Sequence, residues 1–307
     1  MANAVVSPDL IQVLARIVGE ENVRADEPMS AHTTFKIGGP ADAYVMPRTA
    51  DEVAAVVRAC DEAGAPLAVV GNGSDLLVAD AGLRCVVMQI LDNMASVRVE
   101  DTRIVAQAGA TNAQVARVAL EAGLAGFEFA SGIPGTIGGA SIMNAGAYGG
   151  EFKDVCVELA CVTPAGESVR VSREEADWSY RHSMMGDAGY IVVEAVLDLA
   201  RDDAAAIKDR MDDLKARREE KQPLEMPSAG STFKRPEGYF AGKLIQDAGL
   251  RGYRVGGAQV STKHTGFVVN AGDATAADVR QLIVDVQNRV FDEFGVRLEP
   301  EVKMWGF

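Results

Sequence analysis

The chain has 307 residues, 48% hydrophobic and 24% charged, the composition of a globular protein long enough for two or three domains. Its net charge of -14, from 44 acidic and 30 basic residues, disfavours a nucleic-acid binder, because such proteins present a basic surface. Its apolar runs are shorter than the roughly 18 to 20 residues of a membrane span, so we expect no membrane insertion.

The first elements alternate between helix and strand. Residues 1–21 have no basic region ahead of their apolar stretch, so they are interpreted as an ordinary helix and not as a signal peptide. Ser7 or Asp9 can cap that helix. The next predicted elements are a strand at 41–47, a helix beginning at Thr49 and a strand at 66–70.

From Cys85 to about Ala200 the pattern changes to short runs of strand-forming residues. One helix is predicted among them, over 111–121. These spacings predict an α+β domain with a mostly antiparallel sheet. The runs are 85–90, 96–100, 103–109, 156–164, 168–172 and 190–200.

The last third begins with a charged helix from about Asp202 to Pro223, interpreted as a solvated face and a domain connector. A separate unit follows, whose longest predicted helix has Thr275 and Asp278 as a capping pair and ends at Gly295. Its other predicted elements are a helix at 241–248 and strands around 256–261, 264–270 and 296–307.

The cysteines and histidines give no metal or disulfide pattern. None of the cysteines forms a CxxC pair, so we expect buried free thiols and a reducing, cytoplasmic compartment. The histidines are too dispersed for a zinc site. These residues are Cys60, Cys85, Cys156, Cys161, His32, His182 and His264.

Residues 131–151 contain seven glycines, three alanines and no positive charge. Glycine lets another molecule approach the main chain closely, and bare backbone N–H groups bind anions without a basic side chain. The segment is therefore predicted to bind a diphosphate. The alternative is a flexible loop of small residues, but Ile133, Pro134 and Ile137 are not residues that a solvated linker needs.

A second glycine turn, GNGSDLLVAD at 71–80, directly follows a predicted strand. Its amides and the Ser74 hydroxyl suit phosphate, whereas Asp75 is expected to hold the loop backbone. Such turns are common on their own. Two of them without basic residues indicate one dinucleotide held from two sides, and the absence of GxGxxG means that it need not be NAD.

Six ordered motifs carry a resemblance that spans essentially the whole chain. They are HTTFKIGGPADAYVMP (32–47), GNGSDLLVAD (71–80), GIPGTIGGASIMNAGAYGGE (132–151), YRHS (180–183), GSTFKRP (230–236) and LEPEV (298–302). In the identity and order of these six motifs, the chain resembles the UDP-N-acetylenolpyruvoylglucosamine reductase family.

The resemblance implies an α+β fold with a vanillyl-alcohol-oxidase-type (PCMH-like) FAD-binding region of two α/β subdomains and a C-terminal α+β substrate-binding domain. We place the first subdomain at 1–70, the second at 71–201 and the substrate domain at 202–307. A final strand near 298–304 is expected to return to the active site.

The implied activity is that of a cytoplasmic, monomeric flavoenzyme that uses NADPH to reduce UDP-N-acetylglucosamine enolpyruvate to UDP-N-acetylmuramate for peptidoglycan precursor synthesis. Hydride passes from N5 of reduced, non-covalently bound FAD to the enolpyruvyl group. The FAD contacts are assigned to Gly71, Asn72, Gly73, Ser74, Asp75, Gly132, Ile133, Pro134, Gly135, Thr136, Gly138, Gly139, Asn144 and Gly146.

Three residues match the family's catalytic positions. Ser231 matches the acid that protonates the substrate carbanion, and Glu301 matches the active-site glutamate. Arg181 matches the arginine that meets the substrate carboxylate, for which a planar guanidinium is suited. Considered without the motifs, the three are a turn serine, a strand-edge carboxylate and a surface ion-pair partner.

Lys221 and Arg235 are assigned to the UDP diphosphate, with Tyr148 and Lys243 lining the pocket. Lys221 equally fits the end of a charged helix. Some family members carry an insertion with a lid tyrosine after YR-x-S, but here only residues 184–189 precede the next strand. The chain therefore resembles the shorter type II form.

Two other functions stay open at this point. A related flavoprotein oxidase would not need Ser231 or Glu301 and would have no affinity for UDP. A flavin-binding paralogue with a dead site is disfavoured, because all three catalytic positions are present.

Overall fold

The computed structural model describes residues 6–307, so the start of the N-terminal segment interpreted as a helix, residues 1–5, lies outside the described residues. The helices are α1 Pro8–Val18, α2 Ala50–Glu62, α3 Asn112–Glu121, α4 Ile137–Met143, α5 Phe152–Val155, α6 Met184–Ala188, α7 Ala204–Lys221, α8 Ala241–Asp247 and α9 Ala276–Phe294. Within 6–307, no helix is both long enough and apolar enough to cross a membrane.

The strands are mostly short. They are β1 Val23–Pro28, β2 Pro40–Val45, β3 Leu67–Val70, β4 Leu76–Val78, β5 Leu83–Gln89, β6 Val97–Glu100, β7 Arg103–Gln107, β8 Leu124–Ala125, β9 Gly146–Ala147, β10 Gly150–Glu151, β11 Cys156–Val162, β12 Ser168–Ser172, β13 Ile191–Asp198, β14 Ala200–Arg201, β15 Ser228–Ser231, β16 Arg254–Val255, β17 Ala258–Val260, β18 Phe267–Asn270 and β19 Lys303–Trp305.

The predicted helix starts are confirmed by their caps. Ser7 Oγ accepts a hydrogen bond from the N–H of Leu10 at 3.2 Å, and Thr49 caps α2 in the same way. Thr275 and Asp278 form a reciprocal capping box at α9, and Gly295 ends that helix in the left-handed region. Each cap satisfies a backbone donor that has no partner inside its helix.

The chain divides into two compact units, each assembled from several stretches. Unit 1 consists of the residues up to Asp26, 42–72 and 84–218. Unit 2 consists of 27–41, 73–83 and 219–307. The division at 70 and 201 expected from the sequence stays a prediction.

Unit 1 contains the antiparallel sheet predicted for the middle of the chain. Its order is β12-β11-β13-β7-β6, and every neighbouring pair is antiparallel. A second sheet has the order β1-β2-β5-β3, in which β3 and β5 are parallel. The core between these sheets and α1 to α3 buries Leu14, Val56, Ile104 and Leu197. The sheets thus provide a rigid base for the loops that follow them.

The glycine-rich segment contains a helix that the sequence analysis did not predict. Thr136 caps α4, and the N–H groups of Ile137 and Gly138 donate to the carbonyls of Ala110 and Ala108 at 2.8 and 2.9 Å. These bonds come from the loop after β7, so tertiary contacts stabilise a helix that contains two glycines, although glycine disfavours helix.

Unit 2 contains the antiparallel sheet β15-β18-β17-β16 with α8 and α9 packed against it. Phe35 and Leu77, from the two early stretches, are buried in this core. The carboxylate of Asp80 accepts hydrogen bonds from the N–H groups of Ala276 and Ala277, at 2.8 and 3.0 Å. The last residue of GNGSDLLVAD therefore caps α9, where a negative charge is favoured.

The cysteines are buried and free, as predicted. Burial raises the pKa of Cys60 and of Cys85 to about 11, and that of Cys156 and of Cys161 to about 12. A thiol with so high a pKa is protonated at neutral pH and is a poor nucleophile.

Candidate active site

The start of the first glycine-rich turn, at Gly71, lies against the second glycine-rich turn in unit 1. A Cβ built on Gly71 would lie only 2.5 Å from Oγ1 of Thr136, the residue that caps α4. Gln89, on β5, also donates to the carbonyl of Gly71. The sequence therefore brings a strand-ending turn against a helix-starting turn, and only a residue without a side chain fits at the contact.

The N-terminal end of α4 is partly occupied by protein contacts. The amides of Ile137 and Gly138 are bound by Ala110 and Ala108, and that of Gly139 by Thr136 Oγ1 at 3.4 Å. The adjoining face is open, because a Cβ on Gly139 would meet only Thr136 Oγ1, at 3.7 Å. A bare glycine face beside a second glycine turn fits a dinucleotide that approaches the main chain.

Asn112 forms hydrogen bonds with the preceding part of this glycine-rich turn, residues 133–135. Asn112 is buried, and its side-chain amide donates to the carbonyl of Ile133 at 3.3 Å. Its backbone N–H donates to the carbonyl of Gly135 at 3.1 Å. Gly135 has a φ of 123°, a conformation that favours glycine. Ile133, Pro134 and Gly135 thus form a fixed rather than a mobile turn.

The second half of GNGSDLLVAD belongs to unit 2. Gly73 has a φ of 57°, and a Cβ there would lie 2.0 Å from the carbonyl oxygen of His32. Thr34 donates to the carbonyl of Gly73, and Lys303 to that of Asp75. The HTTFKIGG motif therefore packs beneath this loop, and β19 runs parallel to β4 beside it.

Arg181 lies at the tip of a tight turn in unit 1. Ser179 and His182 exchange backbone hydrogen bonds at 3.2 and 3.3 Å, which places Tyr180 and Arg181 between them. Arg181 has a φ of 55°, a conformation that costs free energy in a residue with a side chain. Its Nη2 donates to the carbonyl of Gly146 at 3.4 Å.

Tyr148, like Arg181, has a positive φ because it lies in a tight turn. β9 and β10 pair through Gly146–Glu151 and Ala147–Gly150, leaving Tyr148 and Gly149 as a two-residue hairpin loop. Both have positive φ, 54° and 91°, as a type I′ turn requires. The Tyr148 side chain is 46% exposed. It is therefore presented at the tip of the hairpin.

Asn144 is completely buried, and its side chain bonds within the protein. Its carboxamide reaches Glu151, Ser179 and the N–H of Lys153, each at 3.0 Å. Lys153, hydrogen-bonded to Glu151 at 2.6 Å, holds the pKa of that carboxyl below its ordinary value, with smaller contributions from Asn144 and the charge of Arg181.

Arg218 is a site residue that the sequence analysis missed. It lies in the charged helix α7, yet a Cβ on Gly132 would be 2.8 Å from its Nη1. Burial lowers the pKa of the Arg218 guanidinium, and the nearby Tyr148 opposes that shift. A cation thus lies directly against the glycine-rich turn. The charge run of α7 gave no signal for it, because Gly132 is distant in sequence.

In unit 2, a bulge presents Ser231. Ser228 pairs with Val269 and Ser231 with Phe267, so β15 has one more residue than β18 over this interval. Gly230, within the bulge, has a φ of 71° with open space around its Cβ position. Bulges of this kind redirect side chains beside active sites. The Ser231 side chain is exposed.

Glu301 is held next to that strand. Its backbone N–H donates to the carbonyl of Thr232 at 2.9 Å. The backbone N–H of Lys234 donates in turn to the carbonyl of Glu299. Phe233 and Pro300 form the bridge between them. The buried Thr232 is also bonded to Gly266 and Val268, which fixes its position. Ser231 and Glu301 therefore lie close together in unit 2.

The predicted diphosphate residues have surface positions in unit 2. Lys221, the last residue of α7, is exposed. Arg235 is stacked on the ring of Phe240, with Cζ 4.0 Å from its centroid, and Nε donates to the carbonyl of Tyr239. Lys243 pairs with Asp247 on the next turn of α8. Phe240 is 62% exposed, an aromatic surface that the motifs did not single out.

Comparison with known proteins supplies the family. Residues 41–172 match the model of an FAD binding domain, and residues 222–305 match the C-terminal domain of UDP-N-acetylenolpyruvoylglucosamine reductase. The predicted FAD-binding fold is thereby confirmed, together with the C-terminal domain.

Full-length relatives agree. The UDP-N-acetylenolpyruvoylglucosamine reductase of Agathobacter rectalis is 55% identical, over 92% of this chain and 93% of its own. That of Lachnoclostridium phytofermentans is 50% identical, over 97% of both chains. The crystal structure of the Thermus caldophilus enzyme is 34% identical, with a TM-score of 0.78 over 91% of this chain and 97% of its own. The chain therefore belongs to the UDP-N-acetylenolpyruvoylglucosamine reductase family.

Proposed function

We propose that this chain is an NADPH-dependent flavoenzyme that reduces UDP-N-acetylglucosamine enolpyruvate to UDP-N-acetylmuramate in peptidoglycan precursor synthesis. The observation that carries the proposal is the bulge at Gly230, which presents Ser231 beside Glu301 in a chain of this family. The enzyme works as a monomer in the cytoplasm, with the three-domain division at 70 and 201.

The glycine turns of unit 1 are the residues that hold FAD. Gly139 supplies the bare backbone face beside the contact of Gly71 with Thr136, and Arg218 adds a positive charge behind Gly132. Such a charge is needed because the chain as a whole is acidic, and phosphate is bound well by a guanidinium. When bound and reduced, FAD supplies the hydride for the enolpyruvyl carbon.

Arg181 holds the substrate carboxylate. Hydride addition leaves negative charge on the neighbouring carbon and, by delocalisation, on that carboxylate. A fixed guanidinium stabilises the charge as it develops, because the turn between Ser179 and His182 has already placed it. The strain of the positive φ at Arg181 is consistent with a side chain held for function.

Ser231 delivers the proton to the carbon that receives no hydride. Its hydroxyl is a weak acid, so its position must be fixed in advance, and the bulge with the buried Thr232 supplies that rigidity. Glu301 is placed beside it to assist the proton's delivery. Lys221, Arg235, Lys243 and Tyr148 are the residues assigned to the nucleotide part of the substrate.

The test separates the two half-reactions by stopped flow. We expect NADPH to bleach the flavin absorbance anaerobically and the enolpyruvyl substrate to restore it. Ser231→Ala keeps the first rate and lowers the second at least 10²-fold, as loss of a general acid does. Ser228→Ala, on the same strand, is the matched control and leaves both rates unchanged. A wild-type protein whose colour does not return with substrate would reject the activity, and a fast S231A second phase would reject the role of Ser231.

A further inference from the structure

We propose that Asn144 is a positioning residue for Arg181, which it controls by fastening the turn 179–182 to the C-terminal end of α4. The role given to Arg181 itself rests on the proposed function. The fastening does not, because it follows from contacts within unit 1.

The first contact is made by Asn144 itself. Its Nδ2 donates to the carbonyl oxygen of Ser179 at 3.0 Å, the same oxygen that accepts the N–H of His182 across the turn. Asn144 therefore holds the residue at which the turn carrying Arg181 begins. Asn144 has a relative exposure of 0% and a φ of 41°, so it is buried in a conformation that asparagine tolerates better than most residues.

Two further contacts join the same elements. Nε1 of Trp178 donates to the carbonyl of Ser141 at 2.8 Å, and Oγ of Ser183 donates to the carbonyl of Ile142 at 2.8 Å. Both carbonyls belong to the last turn of α4, and that of Ser141 also accepts the N–H of Asn144 at 3.5 Å. The residues on either side of the turn thus cap α4, and Asn144 completes the attachment at Ser179.

Arg181 itself contacts the hairpin that follows Asn144. Its Nη2 donates to the carbonyl of Gly146, two residues after Asn144. The second hydrogen of the Asn144 carboxamide donates to Glu151, and its oxygen accepts the N–H of Lys153. One side chain therefore connects the turn that carries Arg181 with the hairpin that receives its guanidinium.

The chemistry of the position requires a carboxamide. Asn144 donates to two acceptors and accepts from one donor, and this set matches both ends of the side chain. A carboxylate here would face the carbonyl of Ser179 and the carboxylate of Glu151 without hydrogens to donate. An alanine would remove all three hydrogen bonds at once.

The N-terminal end of α4 lies beside residues that we assign to FAD. The helix begins at Thr136, beside Gly71, and ends at Asn144. It is seven residues long, so the glycine turns and the turn of Arg181 are attached to one short rigid element. Asn144 thus fixes Arg181 relative to the residues that we assign to FAD.

The experiment compares Asn144→Ala with Thr163→Ala. Thr163 is also buried in unit 1, and its Oγ1 accepts the N–H of Glu167 in the turn between β11 and β12, outside the contacts described above. Hydrogen exchange of the peptide 178–184 is measured without substrate. We expect faster exchange in N144A and the wild-type rate in T163A. Equal exchange in N144A and wild type would overturn the proposal.

Kinetics then distinguish positioning from general destabilisation. We expect N144A to lower kcat/KM for the enolpyruvyl substrate about 100-fold, as a misplacement of about 1 Å does. On an Arg181→Ala background the same substitution costs nothing further. A full additional loss in the double variant would show that Asn144 acts independently of Arg181.

Two outcomes need separate controls. If N144A does not fold, Ser183→Ala removes the contact to Ile142, together with the cap that Oγ of Ser183 gives to Gly186 of α6, and is expected to shift exchange and kcat/KM in the same direction by less. S183A without either shift contradicts the proposal. If the wild type does not reduce the enolpyruvyl substrate, the proposed function fails, whereas the exchange comparison still decides the fastening.

Discussion

The backbone N–H of Glu301 donates to the carbonyl of Thr232 at 2.9 Å, so Glu301 lies opposite the residue that follows Ser231. The two proposed catalytic side chains of unit 2 are thus placed by one ladder of backbone bonds, with the bulge at Gly230 directing the serine. Their relative position depends on backbone conformation at Gly230 as much as on the two side chains.

Gly230→Ala tests that dependence. Gly230 and Gly249 both have a φ of 71° and open space at the Cβ position, so alanine at either costs about 1–2 kcal/mol of stability through backbone strain alone. We expect chemical denaturation to show similar losses for both variants, and turnover to fall about 100-fold in G230A only. Equal turnover in G230A and G249A would mean that the bulge does not direct Ser231.

Arg218→Ala tests the cation behind the glycine-rich turn. Arg217, its neighbour, is exposed and paired with Asp213, so Arg217→Ala is expected to change stability by no more than about 0.5 kcal/mol. Loss of the half-buried Arg218 removes packing against Gly132 as well as charge. We expect R218A to bind FAD about tenfold more weakly in fluorescence titrations, with R217A unchanged. The same affinity in both variants would assign Arg218 a structural role alone.

Gly139→Ala separates helix stability from cofactor binding. The site has room for a Cβ, so alanine within α4 is expected to stabilise the protein without FAD by about 0.5–1 kcal/mol. If FAD lies on this face, the methyl group lowers its affinity about tenfold through steric crowding. Gly186→Ala in α6, where a Cβ also has room, is the control for the gain in stability. Unchanged FAD affinity in G139A would place the cofactor elsewhere.

The pair His182–Asp187 predicts a pH dependence beside Arg181. The hydrogen bond to Asp187, at 2.8 Å, raises the pKa of His182, and Asp177 adds to the effect. A raised folded-state pKa gives stability that is complete below the ordinary histidine pKa of about 6.5 and disappears as the pH rises through the folded value. We therefore expect Asp187→Asn to lower the free energy of unfolding at about pH 5.5 but not at about pH 9. A loss of the same size at both pH values would exclude this charge pair as the cause.

The features that could be predicted from the sequence are those that residues close together in the chain determine. Ser7, Thr49 and Thr275 cap helices through residues three positions away, so their role is visible in a short window. The helix α4 was not visible, because the carbonyls of Ala108 and Ala110 that hold its start come from another part of the chain.

The same distinction applies to the site. Ser231, Glu301 and Arg181 were found through motifs, which give residue identity but not conformation. The extra residue of the bulge and the positive φ of Arg181 follow from strand pairing and turn closure, and these depend on long-range contacts. The position of Arg218 against Gly132 could not be predicted, because a run of charged residues indicates only ion pairs between neighbours on the helix surface.

The assembly of unit 2 from three stretches has a consequence during synthesis. A nascent chain leaves the ribosome with residues 27–41 and 73–83 well before 219–307, so Phe35 and Leu77 have no completed core to enter. Asp80 likewise waits for the helix that it caps. The core of unit 2 therefore cannot be completed until translation delivers α9.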